Sequence, residues 1–553
     1  MQLKNRLVAL LLSLTMLVSL CGCGIYDALH PDCSDLTAQS IYNAEGANRA
    51  RIVPFDEMEY ARPDIDALKA KVEEVETLLD TLFKFREVIE GLNEFFAMYT
   101  DFYTMLNLAS LRHDIDTEDE FYAEENSFCN EAAADVEYWA DKLKLACSGS
   151  YMFDYLDENY FDGTLSEYYS ADDGTGYTPT DEIAELERRE TELENDYSEL
   201  YTKYGEDFDD GSYKEHSDEL GKIYVELIKV RKKLAELHNE PSYQSLAYIY
   251  RGHDYTAEDI ASYTEAIKKY IVPLHKKAIK DGLMDTPLLR KMKADKAFDT
   301  MKDTVRGLDT RIAEALDYML KYKLYNVESS DKKYDQSYVQ YLSGYDSPFL
   351  YCNPSGNSSS ILSMAHEFGH YVDGYLNYGQ NDSIDTSELF SEGMEFLLLC
   401  NLEDDDLTKY QLINVLTLYA CQGAYNEFEE RAYALSDDEL SVDKLNSLFG
   451  EIAKEYGLDK RIDEYEAYWI SIPHLFNTPF YVISYCVSDS AAFELYNMEL
   501  KESGSGLRMY MKLLDESTNY EFLELLDKCG VPSAISADTV KSIADTLADK
   551  LGI

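Results

Sequence analysis

The chain of 553 residues carries 106 Asp and Glu against 50 Lys and Arg, a formal charge of -56, with 45% hydrophobic content. That apolar content over that length builds a large core and two or three lobes, which excludes a disordered chain. The negative charge repels phosphate backbones and anionic headgroups, so nucleic acid is not an expected partner; its plainest role is solubility.

The first residues have the layout of an export signal. Lys4 and Arg6 precede an apolar run from Leu7 to Leu20, and no acidic residue appears before Asp27. The run ends in Leu20-Cys21-Gly22-Cys23, which resembles a bacterial lipobox. The expectation is that residues 1–22 are a signal peptide and that Cys23 is the lipidation site. The protein is then held on the extracellular face of the cell membrane by that lipid alone, as no later segment is apolar enough to span a bilayer. Residues 23–55, mostly polar, suit a tether. Cys33, Cys129, Cys147, Cys352, Cys400, Cys421, Cys486 and Cys529 are widely spaced, without CxxC, and define no metal site. Disulfides are permitted outside the cell, yet cysteines inside apolar helical patterns such as Phe396 to Leu402 suit buried thiols equally.

From Asp56 the pattern is helical almost continuously. Leu68, Val72, Val75, Leu78, Leu79 and Leu82 recur at three- and four-residue spacing, as one buried face requires. The charged stretch from Asp181 to His238 repeats this with Leu220, Ile223, Tyr224, Leu227, Val230 and Leu234, predicting a helical hairpin broken near Gly205 to Gly211. Strand signals concentrate at Asp335 to Cys352, predicting a small sheet around Gly344 and Pro348.

Ile361, Met364, Ala365, Phe368, Val372 and Tyr375 then mark the buried side of another helix, which carries His366-Glu367-Phe368-Gly369-His370. The two histidines stand one turn apart and point the same way, the spacing that clamps one zinc ion, while Glu367 is turned toward the neighbouring coordination position. Zinc lowers the pKa of a bound water to about 7, so Glu367 can take its proton and later protonate a leaving amine. An HExxH arises by chance in a chain with 9 histidines with an expectation of roughly one or two per cent, so an accidental pair on a buried helix is a poor explanation. A third ligand is required, and Glu388, Glu392 and Glu395 all lie on one stripe of the helix predicted over Ser387 to Leu399; spacing does not choose among them.

The block PFLYCNPSGNSSSILSMAHEFGH, followed by ELFSEGME and IPHLFNTPFYVISY, resembles the oligoendopeptidase F branch of the thimet oligopeptidase family of zinc metallopeptidases. The upstream stretch YRGHDYTAEDIASYTEAIKKYIVPL is similar too, so the likeness runs from about Tyr248 to Ala492. The resemblance implies that Glu388 is the third zinc ligand, and that His474, Tyr481 and Tyr485 act at the oxyanion. Glu395 or Asp373 would be the carboxylate that receives a ring N–H from a liganding histidine. It also implies that Asn353 and Gly356, before the zinc helix, lie beside a substrate paired as an added strand. Relatives commonly carry a basic, glycine-rich segment before this strand, whereas this chain reads DKKYDQSY at Asp331 to Tyr338, which leaves substrate preference open.

The implied architecture is mainly α: an N-terminal helical lobe over 56–246 and a catalytic lobe over 247–553, with a deep substrate channel and a small β-sheet next to the zinc helix. The implied activity is hydrolysis of short oligopeptides outside the cell with one zinc ion. Two rivals are a carboxypeptidase with the same motif and a surface lipoprotein that captures peptides without cutting them. Capture proteins of that kind alternate strands and helices, which this chain does not.

Overall fold

The structure, a computed structural model, describes residues 46–553 except 83, 162, 166–180 and 382. Cys23, the signal peptide and Cys33 lie outside the described residues. The chain is mainly helical with one small sheet, as the sequence predicts, and its residues divide between two compact units.

One unit holds the described residues of 46–52 and 58–165 together with Leu342–Asp346. Its core is α1 (Ile65–Leu79), α2 (Phe85–Ile115) and α3 (Glu120–Ser148). Asp64 caps α1 by accepting the Ala67 N–H, satisfying one orphan donor of the first turn. Leu68, Val72, Val75 and Leu79 then bury against Val88, Leu92 and Phe95 of α2 and Val136 and Leu143 of α3. Leu82, assigned to the same face by spacing, lies past the helix end and is half exposed. Within the stretch read as tether, the Asn48 N–H donates to the Asp346 carboxylate at 2.7 Å, so this part of it is tied to the folded body.

The second unit contains 53–57, the described residues of 179–341, and 347–553. The predicted hairpin is present as α4 (Asp181–Lys203) and α5 (Ser217–Leu237), joined through a short helix Gly205–Asp209. The sequence divides the lobes near residue 246, whereas this hairpin packs within the second unit. The reason is Arg231. It is fully buried on α5, paired with Glu190 at 2.6 Å and Glu194 at 2.8 Å, and it donates to the carbonyls of Leu475 and Phe476. Tyr197 stacks on Phe476 at 3.7 Å between ring centroids.

The sheet comprises β1 (Tyr325–Asn326), β2 (Ser337–Leu342) and β3 (Ser347–Cys352) in the order β1-β3-β2, with β1 parallel to β3 in the register Tyr325↔Leu350. β3 is the middle strand and buried along its whole length, so it reads as a continuous rather than alternating run. Against it pack α6 (Ser360–Leu376) and then α7 (Ile384–Asn401), which α9 (Val482–Lys501) covers; α8 (Asp405–Tyr433) completes the wall. Ile361, Met364, Ala365, Phe368 and Val372 of α6 are wholly buried, as their spacing predicts.

Candidate metal centre

On α6, His366 and His370 stand one turn apart with ring centroids 5.0 Å from each other. α7 crosses so closely that a Cβ on Gly369 would lie 2.3 Å from the Phe390 carbonyl oxygen, so only glycine allows the two backbones to meet. That contact delivers Glu388. Its Oε2 lies 3.3 Å from His366 Nε2 and 3.6 Å from His370 Nε2, and these three side chains are the one group suited to a metal ion among the described residues.

The outer nitrogens explain why both Nε2 atoms face inward. His366 Nδ1 lies 2.8 Å from Glu395 Oε1 and His370 Nδ1 lies 3.0 Å from Ser387 Oγ; with the proton on each Nδ1, both Nε2 atoms present a lone pair to an ion beside Glu388. Tetrahedral binding at about 2.0–2.1 Å separates neighbouring ligand atoms by about 3.3 Å, close to the spacings found. The Ser391 hydroxyl donates to Glu388 Oε2 at 3.0 Å, and Gln411 donates to Glu395 Oε2 at 2.8 Å. The donor set therefore fits a divalent ion.

The electrostatics agree. Burial would raise the Glu388 carboxyl, but the hydrogen bond to His366 and the charges of both histidines pull it down to about 2. Burial likewise opposes the charged form of His366, yet Glu388 and Glu395 hold it well above its ordinary value, while burial takes His370 down to about 4. The site demands positive charge next to Glu388, and a divalent ion satisfies that demand with both imidazoles neutral.

Glu367 points into a cavity of about 590 Å³ that His366, Glu392, Glu395, Tyr485 and Asp489 also line. Burial pushes its carboxyl up to about 7, His366 pulling against that and Glu388 and Glu395 adding to it, which suits proton exchange near neutrality. His474, Tyr481 and Tyr485 form one cluster: the Tyr481 ring lies 5.6 Å from His474 and 5.1 Å from Tyr485, and the Tyr485 hydroxyl is 3.5 Å from His474 Nε2. Burial raises both phenols, with the charge of Glu388 adding to it, so the hydroxyls stay protonated donors beside the metal ligands. Burial, then the nearby Arg251, lowers His474 and keeps its imidazole neutral.

The cluster is held by a turn. Phe480 has φ of 59°, a left-handed backbone that a bulky residue adopts only under constraint. The constraint is visible: the Phe480 N–H donates to buried Glu429 at 2.8 Å, Arg251 donates to the Pro479 carbonyl at 3.1 Å, and the Phe480 ring is wholly buried.

One expectation is corrected. Asp373 does not support a histidine; it accepts from Asn377 and Asn381 instead, on the side of α6 away from α7's ligands. At Asn353 and Gly356 part of the backbone is already engaged: the Asn353 N–H donates to Gln336 O, Gly356 O accepts from Met292 N–H at 3.0 Å, and Asn357 bridges to Lys291. β2 is one of the sheet's two edge strands, and its Ser337 lines the cavity. Ser387, Ser391, Gln411 and Gly369 went unassigned. Ser391 stands inside the E-x-x-S-x-x-x-E segment and Gly369 inside the histidine motif, so spacing alone could have marked both; Gln411 comes from another helix with no local signal.

Residues 55–168 match the Peptidase M3 N-terminal domain family. Oligopeptidase PepF of Bacillus subtilis (strain 168) is 27% identical over 310 residues, 52% of this chain and 45% of that protein. Over that stretch the chain is similar to this oligopeptidase. The matched stretch spans under half the length of that curated relative. In fold, a protein assigned as oligoendopeptidase F aligns with a TM-score of 0.73 at 23% identity, covering 90% of this chain and 99% of that one. PZ peptidase A, solved with an inhibitor, aligns with a TM-score of 0.73 at 21% identity and the same coverage. The resemblance read from the motifs to oligoendopeptidase F is thereby borne out, and so is the helical metallopeptidase fold it implies.

Proposed function

We propose that this protein is a zinc-dependent endopeptidase that hydrolyses short oligopeptides outside the cell. The observation that carries the reading is the convergence of His366, His370 and Glu388 on one point, with Glu367 facing the adjoining cavity. His366, His370 and Glu388 would hold the ion, with Glu395 and Ser387 fixing the imidazoles. Zinc, when bound, contributes Lewis-acid polarisation of a water and of the substrate carbonyl. Glu367 accepts the proton lost by the attacking water and returns it to the leaving amine, a shuttle for which a carboxyl near neutrality is suited. Tyr485 and Tyr481, with His474, donate hydrogen bonds where negative charge grows on the carbonyl oxygen. An extended peptide would lie along the edge strand β2, with main-chain bonds giving sequence-tolerant affinity.

The test is the Glu367→Gln variant, measured for zinc content and for cleavage of a quenched peptide. Glutamine cannot take the proton, so full zinc with turnover lowered by about a thousandfold or more is expected; undiminished hydrolysis refutes the assignment. Product mapping separates modes, since release of single C-terminal residues only would favour a carboxypeptidase. The export-type N-terminus supports attachment through Cys23. Radiolabelled palmitate should enter the parent and be absent from Cys23→Ser; label retained in that variant removes the lipid proposal.

A further inference from the structure

The cavity beside Glu367 has a wall that the reaction above leaves unused. Glu392 stands one turn beyond Glu388 on α7, and Asp489 one turn beyond Tyr485 on α9. Both line the cavity, yet Glu392 is 9% exposed and Asp489 2%. Glu392 Oε2, Asp489 Oδ2 and Gln422 Oε1, the last from α8, are buried atoms without a hydrogen-bond partner among the described residues. Glu395, in contrast, has both oxygens engaged. Among the described residues, no Lys or Arg lines the cavity. Burial, reinforced by the charge of Asp489, holds the Glu392 carboxyl well above its ordinary range, and burial lifts Asp489 to about 8. Burying acceptor atoms without a partner is costly, and a group with several N–H donors and a positive charge entering this cavity is their chemical complement.

We propose that Glu392, Asp489 and Gln422 form a specificity pocket for a cationic side chain, lysine or arginine, of a substrate residue close to the scissile bond. Among the described residues, the group of His, Cys, Asp and Glu side chains at metal-ligand spacing is His366, His370 and Glu388, which already forms the metal centre. An ammonium or guanidinium spans wider gaps between acceptors and makes charge-assisted bonds to each. Glu392 follows Ser391 directly in the segment ELFSEGME, so the helix that supplies a metal ligand also supplies the selecting charge.

The identity of the ligand as a peptide rests on the peptidase reading, so the test reads binding without cleavage. Full-length Glu367→Gln protein, loaded with zinc, is titrated with fluorescent hexapeptides in which one position at a time is Arg, Lys, norleucine or Glu. At one position Arg or Lys should bind at least about tenfold more tightly than norleucine, with Glu weakest. The double substitution Glu392→Gln, Asp489→Asn on that background should shrink the preference to about twofold or less while norleucine peptides still bind. Gln422→Met provides the same reading, with about a threefold loss for the cationic peptides, if the double variant does not fold. Equal affinity for Arg and norleucine at every position, no binding of cationic peptides, or a preference that survives the double substitution overturns the pocket. Cation-selective binding by a protein whose parent cleaves none of these peptides would leave the pocket standing and count against the peptidase reading alone.

Discussion

The metal ligands and the tyrosine arm reach the same cavity by opposite structural means. His366, His370 and Glu388 sit on two regular helices whose backbones touch at Gly369; Glu395 and Ser387 hold the outer nitrogens of the imidazoles, and Ser391 donates to Glu388 Oε2. Tyr481 and Tyr485 instead follow a turn held in an unfavourable backbone state at Phe480 by a single buried carboxylate and an arginine. Positions that must suit an ion to within tenths of an ångström come from helix packing, while groups that must suit a changing substrate come from a strained connection.

The sharpest way to break the comparison is Gly369→Ala. Its methyl would fall 2.3 Å from the Phe390 carbonyl, so α6 and α7 must separate. We expect zinc and hydrolysis to be lost together, with a stability cost of about 3 kcal/mol, read by metal analysis and thermal melting; parental zinc content in a folded variant would show that helix contact does not set the ligands. Tyr485→Phe attacks the other side. Zinc should stay stoichiometric and KM nearly unchanged while kcat falls about a hundredfold, and a drop of less than about threefold removes the tyrosine from charge stabilisation. The smallest effect comes from a matched pair. Glu395→Gln should weaken zinc affinity by about 10- to 100-fold in chelator competition, whereas Asp373→Asn should stay within about twofold of the parent. Asp373 carries a second signature: burial raises its carboxyl to about 7, above the unfolded value, so its stability contribution is full below about 4 and is lost as pH rises through 7. Asp373→Asn should therefore flatten the fall in melting temperature between pH 5 and pH 8, and an unchanged slope would place that titration elsewhere.

Much of this was legible in the residues. Apolar spacing located α1, the α4–α5 hairpin and the buried side of α6, because a helix face repeats every three to four residues. The clamp at His366 and His370 was legible for the same reason. Glu388 was not, since three glutamates share its stripe and only the likeness to relatives chose among them. Asp373 misled because it lies one turn past His370, and spacing does not tell that the imidazole's outer nitrogen faces α7 while Asp373 faces Asn377 and Asn381. The lobe boundary near residue 246 misled in another way: Arg231 ties the α4–α5 hairpin to the carbonyls of Leu475 and Phe476, more than two hundred residues on, and no local pattern marks that contact. β1, two residues long, is too short for any periodicity to register.

The touching backbones at Gly369 also bear on motion. With no side chain between them to repack, α6 and α7 cannot slide past one another without carrying their imidazoles and carboxylate along, so the three ligands travel as one rigid piece with no slack for adjustment. Capturing an ion then requires little rearrangement, and accommodating peptides of different girth falls to the surrounding walls: the Phe480 turn on one side and α8 on the other.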